Sequence, residues 1–276
     1  MLALVVSATA ADVELASDVL WSLGVVAIEE RAAAGGVELW TSLGDDAGDV
    51  FAAASERLAQ WSWHFVEVDE TVADTWRDHA RPVWIDSDLV ICPAWVPFEA
   101  RSDLEPGVTV LRIEPGATFG LGDHPTTMLS MRAMRHVLRA GSSVLDVGCG
   151  SGVLAVGACV LGAAHAVAID IAPASMSIAK ANAMSNGVAD LVDVSTTPLA
   201  DIDGHFDIVV ANILAPALID LADDLVRVVA SSGVLIISGV LADRHQHVEA
   251  ALQPLRRIHR QTLDGWAAVT LAFDHD

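Results

Sequence analysis

Asp146-Val147-Gly148-Cys149-Gly150-Ser151-Gly152 follows an apolar run, Val144 to Val147, and leads into a stretch of helical spacing. Glycines at such a junction allow a sharp turn and let a ligand lie against backbone N–H groups. Twenty residues after Gly150 the next predicted strand, Ala166–Ile169, is followed by Asp170. A carboxylate there accepts hydrogen bonds from ribose hydroxyls. Loop and acid together read as a nucleotide-binding βαβ unit. The spacing is G-x-G-x-G, not the G-x-G-x-x-G of dinucleotide folds, and Asp146 stands just before it. A carboxylate facing the pocket repels a pyrophosphate and suits the cationic amino end of S-adenosylmethionine (AdoMet). The residues expected to bind this cofactor are Asp146, Gly148, Gly150 and Asp170.

Two further motifs stand where such a sheet binds ligands. Asp207 to Leu214 ends a predicted strand on Asn212, whose side chain offers both an acceptor and a donor beside a transferring methyl group. The competing reading makes Asn212 an N-cap for the helix that follows. No aromatic ring follows in Asn212-Ile213-Leu214-Ala215, which argues against stacking a planar base or amide. Glu114 to Thr127 is rich in glycine and ends in Asp123-His124-Pro125-Thr126-Thr127 at a predicted helix start. Its threonine hydroxyls either face a cofactor or cap the helix. His124 is either a base or a brace for the loop. His245 and His247 are two apart on a predicted helix and do not share a face, so they make a poor metal pair.

These motifs need a scaffold. Strands are predicted at Val144–Val147, Ala166–Ile169, Val192–Ser195, Ile208–Ala211 and Val234–Ser238. Helices are predicted near 125–139, 152–162, 173–186, 214–229 and 242–252. This alternation gives a doubly wound α/β sheet, parallel except at its end. There Leu255–Thr262 and Trp266–Phe273 form a hairpin across Asp264-Gly265. Residues 1–68 follow a different rhythm, β-α-β-β-α-β, the ferredoxin-like α+β arrangement. Its strands are expected at Leu2–Ser7, Val25–Glu29, Val37–Thr41 and Trp63–Val68, and its helices at Asp12–Leu23 and Asp49–Gln60. Residues 69–100, with Trp76, Pro82, Trp84, Pro93, Trp95 and Pro97, are expected to form a stiff linker holding a short helix (72–79) and two short strands, the competing reading being an N-terminal extension packed on the second domain. Residues 101–276 form the catalytic domain.

A formal net charge of −22 disfavours nucleic acid as a direct partner and favours a basic one. Cys92, Cys149 and Cys159 are odd in number and lack zinc-like spacing, so neither a disulfide scaffold nor a metal site is expected. The first residues lack a basic signal-peptide region, and no apolar run reaches the ~18–20 residues of a membrane span. A cytoplasmic monomer that does not engage a membrane is expected.

Almost end to end, the chain resembles the ribosomal protein L11 methyltransferases, class I AdoMet-dependent enzymes. The resemblance rests on Pro115 to Thr127, Asp146 to Gly152, Asp170, Ala211-Asn212-Ile213-Leu214 and Ser238-Gly239-Val240-Leu241, with Trp76, Pro82 and Pro93-Ala94-Trp95 similar to the interdomain segment. It implies AdoMet contacts at Thr127, Gly148, Asp170 and Asn212. It also implies a ferredoxin-like domain that recognises the substrate, and methylation of lysine ε-amines or the N-terminal α-amine of the ribosomal protein. Leu121-Gly122-Asp123 departs from the family's usual Thr-Gly and variable residue. The alternatives are a lysine methyltransferase for another basic protein or a small amine, and a non-enzymatic AdoMet-binding factor.

Overall fold

The computed structural model describes residues 2–274 except 10–11, 24, 26–27, 34, 43–53, 68–79, 99–106 and 116–121. The chain divides into two compact units, Met1–Ala80 and Arg81–Asp276.

The first unit contains β1 (Leu2–Ala8), α1 (Val13–Ser22), β2 (Glu29–Ala33), β3 (Gly36–Ser42) and β4 (Ser62–Glu67). The sheet order is β2-β3-β1-β4, with every pair antiparallel, as a split βαβ requires. Leu4, Val6 and Ala8 alternate along β1 and join Leu20, Leu39 and Leu58 in one core. The second strand was expected at Val25–Glu29 but lies at Glu29–Ala33. The turn sets its register: Gly35 has φ +96°, and Ala33 pairs with Gly36 and Glu29 with Trp40. Of the helix expected over 49–60, helical backbone is described at 54–57; the short helix at 72–79 lies outside the described residues.

The second unit opens with β5 (Val83–Asp86), β6 (Leu89–Pro93) and β7 (Thr109–Ile113), a small sheet in which β6 pairs antiparallel with β5 and parallel with β7. Here the structure differs from a linker spanning 69–100. Ile85, Leu89 and Ile91 are buried in one cluster with Leu111, Ile113 and Leu129, so this part packs as body of the second unit.

Next come α2 (Pro125–Val137), β8 (Ser143–Val147), α3 (Val153–Val160), β9 (His165–Ile169), α4 (Pro173–Ser185), β10 (Val192–Ser195) and β11 (Phe206–Asn212). The chain ends with α5 (Ala215–Asp220), α6 (Ala222–Arg227), β12 (Val229–Leu241), α7 (Gln246–Ala251), β13 (Arg256–Leu263) and β14 (Trp266–Ala272). The helix expected over 214–229 is two helices, because the backbone at Leu221 (φ −95°, ψ 6°) leaves the helical region. The sheet order is β10-β9-β8-β11-β12-β14-β13; β14 is antiparallel to both neighbours and the other pairs are parallel.

Both faces of this sheet are covered, so its central strands are mostly apolar, with Asp146 a buried exception in β8. Alternate residues divide between two cores. Val144, Ile208, Val210 and Ile236 pack with Met131, Met134, Val153 and Ala179 of α2, α3 and α4. Leu145, Val209, Leu235 and Ile237 pack with Leu218, Leu225 and Val248 of α5, α6 and α7. Among the described residues no helix is long and apolar enough to cross a membrane.

Ile236 is fully buried at the centre of β12. Ile236→Ala is expected to destabilise the second unit by about 2–5 kcal/mol, through lost burial and a residual cavity. Denaturant titration checks this; a loss below about 1 kcal/mol would contradict the central position of β12.

Candidate functional site

β8 pairs with β9 on one side and with β11 on the other. The chain therefore leaves neighbouring strand ends in opposite directions, and a crevice opens at their carboxyl edge. The residues expected from sequence gather along that edge: Asp170 after β9, Gly148 and Gly150 after β8, and Asn212 ending β11.

The turn after β8 is built from positive-φ glycines, with φ of 72°, 52° and 76° at Gly148, Gly150 and Gly152. Its N–H groups bind inward. Gly148 and Cys149 donate to Ile169 O at 2.8 and 3.0 Å, and Gly150 donates to Asp170 Oδ2 at 2.8 Å. The other oxygen of Asp170 accepts Ala172 N–H at 2.8 Å. One carboxylate thus ties together the turns after β8 and β9, and each of its oxygens keeps a lone pair for a ligand hydroxyl. Next to it, Ile171 is 97% exposed. Sequence reasoning missed this residue. Its signal is an aliphatic side chain directly after an acid at a strand end, where it offers an apolar face to a flat ring.

Asp146 behaves differently from the expectation that it faces the pocket. It is buried, and Oδ2 accepts Ala155 N–H at 3.0 Å, which holds the first turn of α3. Burial pushes its carboxyl up to about 7, with the Asp170 charge adding to the rise and the Ala155 bond opposing it. Burial likewise raises the Cys149 thiol, so Cys149 fills space and is no nucleophile.

Asn212 pairs in register with Ser238 of β12. The helix that follows begins at Ala215, with Leu214 as its N-cap and no side-chain capping bond. The capping reading of Asn212 therefore fails. Among the described residues its carboxamide has no protein hydrogen-bond partner. Ile213 fixes it in place: a Cβ on Gly148 would lie 2.4 Å from Ile213 Cγ2, and one on Gly239 would lie 2.4 Å from Ile213 O. The two glycines leave just enough room for this segment.

α2 brings the last component. His124 caps it, accepting Thr126 N–H on Nδ1 at 3.3 Å, with the Thr126 hydroxyl at 2.7 Å from the same nitrogen. Burial lowers the pKa of His124. The hydrogen-bond pattern assigns its proton to Nε2, so this ring is a brace and has no lone pair for base catalysis. The hydroxyl of buried Ser238 lies 3.3 Å from Thr126 O and 3.1 Å from Ala267 O, which seats the helix start beside β12. Thr127 is 1% exposed, and its hydroxyl has no partner among the described residues. A buried orphan hydroxyl costs stability unless a ligand satisfies it. Residues 116–121 of the glycine-rich segment, Leu121 included, lie outside the described residues. His245 is committed elsewhere, with Nδ1 at 2.5 Å from Glu249 and Nε2 at 2.8 Å from Arg260.

Comparison with known proteins adds four findings. The family model for ribosomal protein L11 methyltransferase matches residues 46–273. A Geobacter metallireducens protein named Ribosomal protein L11 methyltransferase is 48% identical over 181 residues, 65% of this chain and 58% of that protein. One from Geotalea daltonii is 39% identical over 73% of this chain and 67% of its own length. This chain therefore spans between about half and two thirds of those relatives. The crystal structure of ribosomal protein L11 methylase from Lactobacillus delbrueckii subsp. bulgaricus superposes with TM-score 0.64 at 32% identity, covering 71% of this chain and 99% of that one.

The raised carboxyl of Asp146 has a consequence for stability. In the folded chain it binds its proton up to about pH 7, whereas unfolded it releases it near pH 3.8. Its contribution is therefore most favourable below about pH 4, falls as pH rises towards 7, and is constant above. Asp146→Asn keeps an oxygen for Ala155 and removes the titration. It is expected to flatten the pH 4–7 slope of unfolding free energy, by at most about 4 kcal/mol in total. Equal slopes in the two proteins, measured by denaturant titration without ligand, would contradict the raised carboxyl.

Proposed function

The chain belongs to the ribosomal protein L11 methyltransferase family, and from that premise we propose that it methylates amines of a basic protein with AdoMet as donor. One observation carries the reading: the hydroxyl of buried Thr127 has no partner among the described residues, and its neighbour Thr126 is seated on Ser238, the strand partner of Asn212, at the sheet end that also carries Asp170 and the glycine turn. These donors and acceptors fit AdoMet. Asp170 receives the ribose hydroxyls and Ile171 covers the base. The turn at Gly148 and Gly150 lets the cofactor approach the backbone, and Thr127 donates to it. Asp146, buried beneath the turn, braces the start of α3 through Ala155 and is assigned no direct contact with the cofactor.

Bound AdoMet supplies an electrophilic methyl group on a sulfonium. What remains for the protein is alignment, desolvation and handling of one proton. A lysine amine has a pKa near ~10.4 and an α-amine near ~7.7–8.0, so the amine must arrive neutral or lose its proton at the site. The Asn212 carboxamide oxygen accepts an N–H from the amine and aims its lone pair at the methyl group. His124 is not assigned as the base, since its acceptor nitrogen is held by Thr126; the proton passes to water.

Ribosomal protein L11, the protein in the relatives' names, is the proposed substrate. The charge of −22 draws basic proteins in general, and a cytoplasmic site of action fits a ribosomal target. Mass spectrometry of ribosomal proteins from cells lacking the gene tests the choice. Loss of methyl groups from L11 supports it, whereas an unchanged L11 and a changed second protein transfers the activity to that protein.

Asp170→Ala is expected to weaken AdoMet binding at least tenfold in calorimetry, since two hydrogen bonds to a charged group are lost. Unchanged affinity would remove Asp170 from the ribose. For Asn212→Ala the expected pattern is a turnover reduced about a hundredfold with cofactor affinity changed far less, the mark of a group acting in the transition state. Equal losses in turnover and affinity would reduce Asn212 to a binding residue.

A further inference from the structure

β7 is the outer strand of the small sheet, and one of its edges has no strand partner among the described residues. Asn182 of α4 and Asn186, the residue capping the C-terminus of that helix, take that place. Asn186 accepts Arg112 N–H on Oδ1 at 2.9 Å and donates from Nδ2 to Arg112 O at 2.7 Å. One helical turn earlier, Asn182 accepts Glu114 N–H at 2.9 Å and donates to Glu114 O at 2.8 Å. Each carboxamide thus imitates one residue of a β-ladder.

The two differ in their remaining bond. Asn186 donates to Asn182 O, one turn back in the helix it caps, at 2.8 Å. Asn182 donates to Ser151 O at 2.9 Å, inside the glycine turn. Asn182 is 1% exposed and Ser151 fully buried, so water cannot take over these bonds without opening the packing. The same face of α4 presses on the turn elsewhere: a Cβ on Gly152 would lie 2.8 Å from Ala179 Cβ. One buried side chain therefore joins the end of β7, where the glycine-rich Glu114–Thr127 segment begins, to the turn between β8 and α3.

Resting on the AdoMet reading above, we propose that Asn182 is a positioning residue for the cofactor. It holds the Gly148–Gly152 turn against the end of β7, so that the turn and the Asp170 carboxylate bonded to it are formed before ligand arrives. Without it, binding carries the cost of ordering the turn, and affinity falls. By linkage, bound cofactor tightens the same connection, and the Glu114 N–H held by Asn182 opens less often. Asn186 anchors the same strand without touching the turn, which makes it the internal control.

The test compares the full-length chain with Asn182→Ala and Asn186→Ala, reading AdoMet affinity by calorimetry and stability by thermal unfolding. Both variants are expected to lose stability. Asn182→Ala is expected to bind AdoMet about tenfold more weakly, the scale of one lost buried hydrogen bond, and Asn186→Ala to stay within about twofold of the unaltered chain. Equal affinities in the two variants would overturn the proposal and leave Asn182 a purely structural residue. If Asn182→Ala does not fold, amide exchange on the unaltered chain decides. Saturating AdoMet should slow the Glu114 amide by a larger factor than the Arg112 amide, and equal responses would overturn the role. Failure of the unaltered chain to bind AdoMet would overturn the cofactor reading, and this proposal with it; binding by the unaltered chain and Asn182→Ala alike would overturn the positioning role alone.

Discussion

The carboxylate of Asp170 accepts one backbone N–H from the turn after β8, at Gly150, and one from the turn after β9, at Ala172. Each turn alone is short and rich in left-handed backbone, a conformation with little intrinsic preference to persist. Tied to one charged group, and with Gly148 and Cys149 bonded to Ile169 O, they become a single rigid edge. Charge-assisted bonds of this kind are about twice as strong as neutral ones. Each oxygen of that carboxylate keeps a lone pair at the carboxyl edge of the sheet.

The surrounding packing serves the same edge. Alternate residues of β8, β11 and β12 commit to opposite cores, which fixes the strand ends to within one residue. Ile213 fits between Gly148 and Gly239 with no room for a side chain at either, so the Asn212 segment, the glycine turn and the end of β12 set one another's positions. The price is visible at Asp146, a carboxyl held in apolar surroundings for the sake of one bond to α3. Such local cost is common where a backbone must be shaped for a ligand.

Much of this was legible in the sequence, where local signals carry it. The strand rhythm after residue 140, the glycine turn and the acid after β9 follow from apolar runs and turn residues a few positions apart. The β-α-β-β-α-β rhythm of the first unit led to the observed sheet order, because few arrangements bury those faces. What stayed hidden depends on long-range pairing. β6 and β7 join Leu89 to Thr109 in parallel, which no local pattern announces, so β5 and β6 read equally as linker or as an extension packed on the second domain. The burial of Asp146 depends on α3 closing over it. Asn182 and Asn186 look like ordinary polar positions on a helix until β7 arrives beside them. From the residues alone Thr127 was one of two hydroxyls, and the family resemblance singled it out; that its neighbour Thr126 interacts with His124 while the Thr127 hydroxyl has no partner among the described residues is a fact of packing.

A crystal structure of the chain with S-adenosylhomocysteine tests the central claim most directly. The account predicts ribose hydroxyls on the Asp170 carboxylate, the Thr127 hydroxyl within hydrogen-bonding distance of the ligand, and the Asn212 carboxamide beside the sulfur. A ligand bound away from the carboxyl edge of β8, β9 and β11, or a Thr127 hydroxyl still without a partner, would contradict it.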